Sequence, residues 1–140
     1  MESKVFLDTA YAVALSSIRD QYHNHALRLA NQLESGGTKM ITTRAVVLEI
    51  GNALSRQRYR EAAVKLLVSL EIDPNITVVP LSERLYRRAF QLFRERADKD
   101  WGIIDCISFI VMQDNDIVEA LTSDEHFRQA GFRSLLLERS

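Results

Sequence analysis

The sequence predicts an α/β domain in three layers, with a mainly parallel central sheet of about five strands and helices on both faces. Short β-rich runs alternate with longer helical stretches, which is the pattern of successive βαβ units. The first run, Val5-Phe6-Leu7, is apolar at consecutive positions, as in a strand buried on both faces. No linker and no internal repeat divides the 140 residues, a length usual for one domain, so residues 1–140 are expected to form a single unit.

The elements follow in order. The first strand ends at Asp8. Helical stretches are predicted over Ala10 to Ile18 and Asn24 to Leu33, the second with Ala26, Leu29, Ala30 and Leu33 at helical spacing and stopped by Gly36 and Gly37. Met40 to Thr42 is the second strand, and Thr43 caps a helix with Val46, Val47, Ile50, Ala53 and Leu54 on one side. Arg60 to Glu71 forms the next helix, burying Ala63, Leu66, Leu67 and Leu70. Asp73-Pro74-Asn75 turns the chain into a third strand, Ile76 to Val79. Ser82 caps a helix expected to point Leu85, Tyr86, Ala89, Leu92 and Phe93 inward. A polar loop, Asp98 to Gly102, leads to a largely apolar central helix, Ile103 to Gln113. Val118 to Leu121 is the fourth strand, Asp124 to Ala130 a short helix, and Ser134 to Leu137 the fifth strand after a turn at Gly131.

Composition limits the function classes. The formal net charge of −1 lacks the strong basic excess of many nucleic-acid-binding proteins, so any contact with nucleic acid rests on a local patch or on metal ions. The single cysteine, Cys106, excludes an internal disulfide and fits a reducing cytoplasm. The N-terminal residues do not read as a signal peptide, and no apolar run approaches the roughly 20 residues that span a bilayer, so no membrane association is expected.

The acids carry the chemical signal. Right-handed crossovers bring the C-terminal ends of parallel strands to one rim, where ligands bind in open α/β sheets. Asp8 and Asp124 fall at the ends of the first and fourth strands, and Asp105 in the first turn of the helix after the Asp98–Gly102 loop. Glu49 is embedded in the apolar run from Ala45 to Ile50, and Asp105 is flanked by Ile103, Ile104, Cys106 and Ile107. An acid within a buried stripe is costly unless it is paired or binds a metal. Taken singly, each has a structural role open to it. Asp8 and Asp124 could cap helices, Asp105 could favour a helix dipole, and Glu49 could pair with Arg44 or Arg56. Taken together, clustered carboxylates repel and raise one another's pKa, a conflict that a hard divalent cation such as Mg²⁺ or Mn²⁺ removes.

Five segments add to this reading: Phe6-Leu7-Asp8-Thr9, Glu49-Ile50-Gly51-Asn52-Ala53-Leu54, Asp105-Cys106-Ile107-Ser108-Phe109, Ala120-Leu121-Thr122-Ser123-Asp124-Glu125-His126-Phe127, and Ala130-Gly131-Phe132. In order and spacing the chain resembles a PIN-domain nuclease, and more closely a VapC-type toxin of a toxin–antitoxin pair, over nearly its whole length. The resemblance implies a PIN-like parallel sheet with the first strand central, and Mg²⁺- or Mn²⁺-dependent RNA cleavage. It implies Asp8, Glu49, Asp105 and Asp124 as catalytic metal ligands, with Thr9, Asn52 and Ser123 supporting them. It further implies a homodimer and a separately encoded antitoxin whose segment lies near the active site and pairs with exposed arginines. One departure is Ile104, where a hydroxyl residue usually precedes the third acid.

Other residues are weaker candidates. Asp100 is a possible auxiliary acid or a plain loop residue. His23 and His25, two apart on a helix, diverge and so do not chelate. His126 could approach the scissile phosphate, although facing solvent or capping locally suits it better. Cys106 reads as an inert core thiol. The basic groups Arg56, Arg58 and Arg60, and Arg84, Arg87, Arg88, Arg94 and Arg96, suit a solvated face, or contacts to RNA phosphate or to an acidic partner segment. An aspartyl-nucleophile phosphatase would need an acid where Ala10 stands, and a response-regulator-like switch a Lys where the fourth strand ends in Thr122-Ser123-Asp124. The serious alternative is a catalytically silent domain of the same fold that binds RNA or a protein partner.

Overall fold

A computed structural model describes residues 3–138; Met1, Glu2, Arg139 and Ser140, the ends of the expected domain, lie outside the described residues. The elements are β1 (Lys4–Leu7), α1 (Thr9–Ser16), α2 (His23–Gly36), β2 (Lys39–Thr43), α3 (Arg44–Ala53), α4 (Gln57–Ile72), β3 (Ile76–Val79), α5 (Glu83–Glu95), α6 (Ile103–Asp114), β4 (Glu119–Leu121), α7 (Glu125–Gln129) and β5 (Arg133–Ser134). The five strands form one parallel sheet in the order β3-β2-β1-β4-β5. The chain steps outward from β1 to β3, then returns to place β4 on the other side of β1. That reversal puts a topological switch point between the C-terminal ends of β1 and β4.

The central strands are buried on both faces, which explains their unbroken apolar runs. Val5, Phe6 and Leu7 of β1 and the whole of β4 are buried. Phe6 lies in register with Ile41 on one side and Ala120 on the other. Right-handed crossovers assign α1–α4 to one face and α5–α7 to the other. Helix α6 is buried along Cys106 to Met112, as a helix that is apolar nearly all round must be. Its Phe109 meets Trp101 and Phe127 edge-on, each at 5.0 Å between ring centroids, and Phe127 also packs on Phe6. This aromatic cluster ties α6 and α7 to β1 beneath the rim.

The expected caps form: the Val46 amide donates to Thr43 Oγ1 and the Leu85 amide to Ser82 Oγ, each at 3.1 Å. Gly37 adopts the left-handed conformation that ends α2 (φ 59°). Four expectations are corrected. The fifth strand is Arg133–Ser134, and Leu135–Leu137 curl into a 3₁₀ turn that buries Leu135 and Leu136 in succession, which an extended chain beside one covered face does not do. Tyr86 and Phe93 are over 40% exposed, because Leu85 and Ala89 are the residues that α5 turns against α6. Ile18 lies beyond the end of α1 and is exposed, and α4 begins at Gln57, earlier than Arg60.

Candidate metal centre at the sheet rim

Asp8 is the first residue beyond β1, where the chain leaves the buried sheet. It occupies the N-cap position of α1, yet only 6% of it is exposed, and Thr122 Oγ1 donates to its Oδ2 at 2.7 Å. Burial pushes its carboxyl up to about 7, against the opposing pull of the Thr122 hydroxyl and the Thr9 amide. The charges of Asp105 and Glu49 add to the rise, so both acids lie within electrostatic reach of Asp8.

Glu49 sits on α3, half-buried, and receives the Thr9 hydroxyl. The suggested ion pair with Arg44 is not made: Arg44 binds Glu71 instead. Asn52 is exposed one turn further along α3. It lines, with Glu49, Leu48, Leu81, Tyr86 and Ile104, a shallow apolar groove beside the acids.

Asp105 is in the first turn of α6, and its Oδ2 accepts the Gly102 amide at 3.0 Å, closing that helix terminus. Burial raises its carboxyl above the usual range, and the charge of Asp124 adds to this. Asp124 is the N-cap of α7, with Oδ1 accepting the His126 amide at 2.8 Å, while its own amide donates to Thr122 Oγ1 at 3.1 Å. Ser134 Oγ of β5 holds the Asp124 carbonyl at 2.8 Å. Capping and clustering therefore coexist at both acids. His126 turns its Nδ1 inward, 3.1 Å from Asp105 Oδ2 and 3.4 Å from Asp124 Oδ1.

Among the described residues, Asp105, Asp124 and His126 form the group whose ligand atoms lie within 4.8 Å of one another. Asp8 and Glu49 stand outside this tightest group. Two participants were not legible as such. His126 belongs to the cluster, although its sequence position suits solvent or a local cap better. Thr122 supplies the hydroxyl to Asp8, and only the pairing of β1 with β4 brings the two level, so no local signal marked it. Asp100 is exposed and lines a separate surface groove with Phe90 and Phe93. His23 Nδ1 faces the Ala14 carbonyl at 2.7 Å, which joins α2 to α1. Cys106 is buried, and that burial pushes its thiol up to about 11, so it is no nucleophile at neutral pH.

The donor set suits a divalent cation: hard carboxylate oxygens and one imidazole nitrogen, with the buried Asp8 carboxyl beside them, whose raised pKa a nearby cation would lower. Comparison with known proteins identifies the family. The PIN domain family profile matches residues 5–133. The chain is 27% identical over 128 residues to proteins called 23S rRNA-specific endonuclease VapC20 in two strains of Mycobacterium tuberculosis, covering 91% of this chain and 95% of theirs. The crystal structure of Mycobacterium tuberculosis VapC20, described as a sarcin–ricin loop cleaving toxin, superimposes with a TM-score of 0.81 at 26% identity, covering 92% of this chain and 96% of that one.

Proposed function

This chain belongs to the PIN-domain family, and from that premise we propose that it is a divalent-metal-dependent endoribonuclease, the toxin of a toxin–antitoxin pair. The observation that carries the proposal is the convergence of Asp105 and Asp124 at the switch-point rim, beside the buried carboxyl of Asp8. Asp8, Glu49, Asp105 and Asp124 are the catalytic acids in this reading. A bound Mg²⁺ or Mn²⁺ supplies charge neutralisation at the phosphate and activation of the attacking water. The protein's part is positioning. Thr122 fixes the Asp8 carboxyl, Thr9 fixes Glu49, and the Gly102 amide fixes the rotamer of Asp105. Asn52 and Ser123 support the acids in this reading. No side chain acts as a covalent nucleophile, and the expected products carry 5′-phosphate and 3′-hydroxyl ends.

The specificity of these relatives makes 23S ribosomal RNA, and its sarcin–ricin loop, the first substrate to test. With Mg²⁺ or Mn²⁺ the protein cleaves it, EDTA stops cleavage, and Asp105→Asn lowers the rate by about a hundredfold or more, since even groups behind a metal ligand are worth about 10–100-fold. Undiminished cleavage by Asp105→Asn sinks the assignment; RNA binding without cleavage in any divalent ion favours the silent-domain reading.

The reading includes a homodimer, a separately encoded antitoxin, and a cytoplasmic setting in which residues 1–140 act as one nuclease domain. In support of the dimer, Val64, Val68 and Ile72 are each more than half exposed at four-residue spacing along α4, one continuous apolar line. A monomer in light scattering at micromolar concentration counts against it. No described helix is long and apolar enough to cross a membrane.

A further inference from the structure

The acids leave one member of the cluster without a role in RNA cleavage, and it is the one that is not an acid. We propose that His126 is a nitrogen ligand to the cation at this site, biasing the site toward transition-metal ions such as Mn²⁺ and Co²⁺ over Mg²⁺. The inference rests on the reading that this rim binds a cation, and it adds a ligand and a preference to that reading.

The geometry points this way. His126 Nδ1 lies 3.1 Å from Asp105 Oδ2 and 3.4 Å from Asp124 Oδ1. Two neighbouring ligands, each about 2.1 Å from an octahedral ion, stand about 3 Å apart, so these separations need to change by only tenths of an ångström to surround one ion. The ring cannot satisfy both oxygens by itself, because Nδ1 carries at most one proton and that proton points in one direction. A cation between the three atoms meets all of them. The imidazole is also held in place: Asp124 Oδ1 accepts the His126 amide at 2.8 Å, which fixes the turn from which the ring projects, and Phe127 next to it is fully buried. Imidazole nitrogen is a poor partner for Mg²⁺, which favours oxygen, and a good one for later first-row ions.

The competing role for His126 is that of a cationic ion-pair partner that merely balances Asp105. The two roles predict opposite signs. Removing an ion-pair cation frees the carboxylates, so added metal binds equally well or more tightly. Removing a ligand weakens binding, and selectively so for ions that favour nitrogen. The test is calorimetric titration of the full chain with MgCl₂, MnCl₂ and CoCl₂, using wild type, His126→Gln and Asp105→Asn. The expected result is a loss of Co²⁺ affinity of about tenfold or more in His126→Gln, a smaller loss for Mn²⁺, and Mg²⁺ affinity unchanged within about threefold. Pulsed EPR of the Mn²⁺-loaded wild type, which needs no variant to fold, shows nitrogen hyperfine coupling that is absent from His126→Gln. Equal or tighter Co²⁺ binding by His126→Gln, or no nitrogen coupling in the wild type, overturns the proposal. If the wild type binds the ions, Asp105→Asn does not, and His126→Gln matches the wild type, the ligand role alone fails. If the wild type binds none of the three ions, the cation-site reading fails and this inference with it.

Discussion

At Thr122 a single hydroxyl serves two acids, donating to Asp8 Oδ2 and accepting the Asp124 amide, while the residue itself is fully buried. Valine matches threonine in shape but can do neither. Thr122→Val therefore leaves a buried carboxyl and an amide short of a partner, at a cost of about 1–3 kcal/mol. The carboxyl also loses a bond that favours its charged form, so the Asp8 pKa rises further from about 7. The expected outcome is a lower urea midpoint together with a nuclease pH profile displaced to higher pH. A merely structural Thr122 would lower stability and leave the profile in place. The side chain in question lies 114 residues along the chain from Asp8, a partnership that no local pattern contains.

Strand β5 has only two residues, so its backbone pairing holds little, and its side chains do the anchoring. Arg133 donates to the buried Glu119 at 2.9 Å, its partner in the β4–β5 register, and reaches Glu138 as well. The next residue, Ser134, holds the Asp124 carbonyl. Arg133→Met leaves the Glu119 carboxylate buried with less compensation and is expected to destabilise by about 3 kcal/mol, the lower end for a broken buried pair because Arg133 itself is half exposed. It should also loosen Asp124 and reduce metal affinity. Replacing both, Glu119→Leu with Arg133→Leu, recovers most of the stability. Urea unfolding of the single and double variants checks this; a double variant no more stable than Arg133→Met refutes the buried-charge explanation.

Two sets of carboxylates set opposite limits on the stability of the whole protein. Glu71, Asp98, Asp114 and Glu138 are hydrogen-bonded to arginines that hold them below their usual range, so their contribution is present above about pH 4 and is lost as pH falls through their folded pKa values. Asp8 is raised from 3.8 to about 7, chiefly by burial, so the folded state holds the extra proton between those values. Its contribution is complete below about pH 4 and is lost as pH rises to about 7, at a slope of at most about 1.4 kcal/mol per pH unit. Asp105, also raised, acts in the same direction. In EDTA the melting temperature should peak at about pH 5 and fall toward pH 8. Asp8→Asn should flatten that fall and melt higher than wild type at pH 8. A divalent ion at a hundred times its Kd should restore about 2.7 kcal/mol to the wild type and much less to Asp8→Asn. A wild type that is flat from pH 5 to 8 and unmoved by Mn²⁺ contradicts the clustered-carboxylate site.

The alternation of buried strands and amphipathic helices, the caps at Thr43 and Ser82, and the positions of Asp8 and Asp124 at strand ends were all determined by the sequence alone. Each depends on residues within a few positions of one another, where backbone sterics and helical or strand period act directly. Long-range packing decided the rest. The reversal that seats β4 beside β1 brings Thr122 to Asp8 and Asp124 to Asp105, and strand order is a choice among topologies with the same local pattern. The helical period of α5 admitted Tyr86 and Phe93 to its apolar face; contact with α6 selected Leu85 and Ala89 and left the two aromatics partly exposed. At Leu135–Leu137 an apolar run suited to a strand curls because the space it fills beside β4 takes two consecutive leucines. The inward turn of His126 depends on where α7 docks against α6, and that docking is set by Phe127 and Phe109, whose packing exists only once the chain has folded.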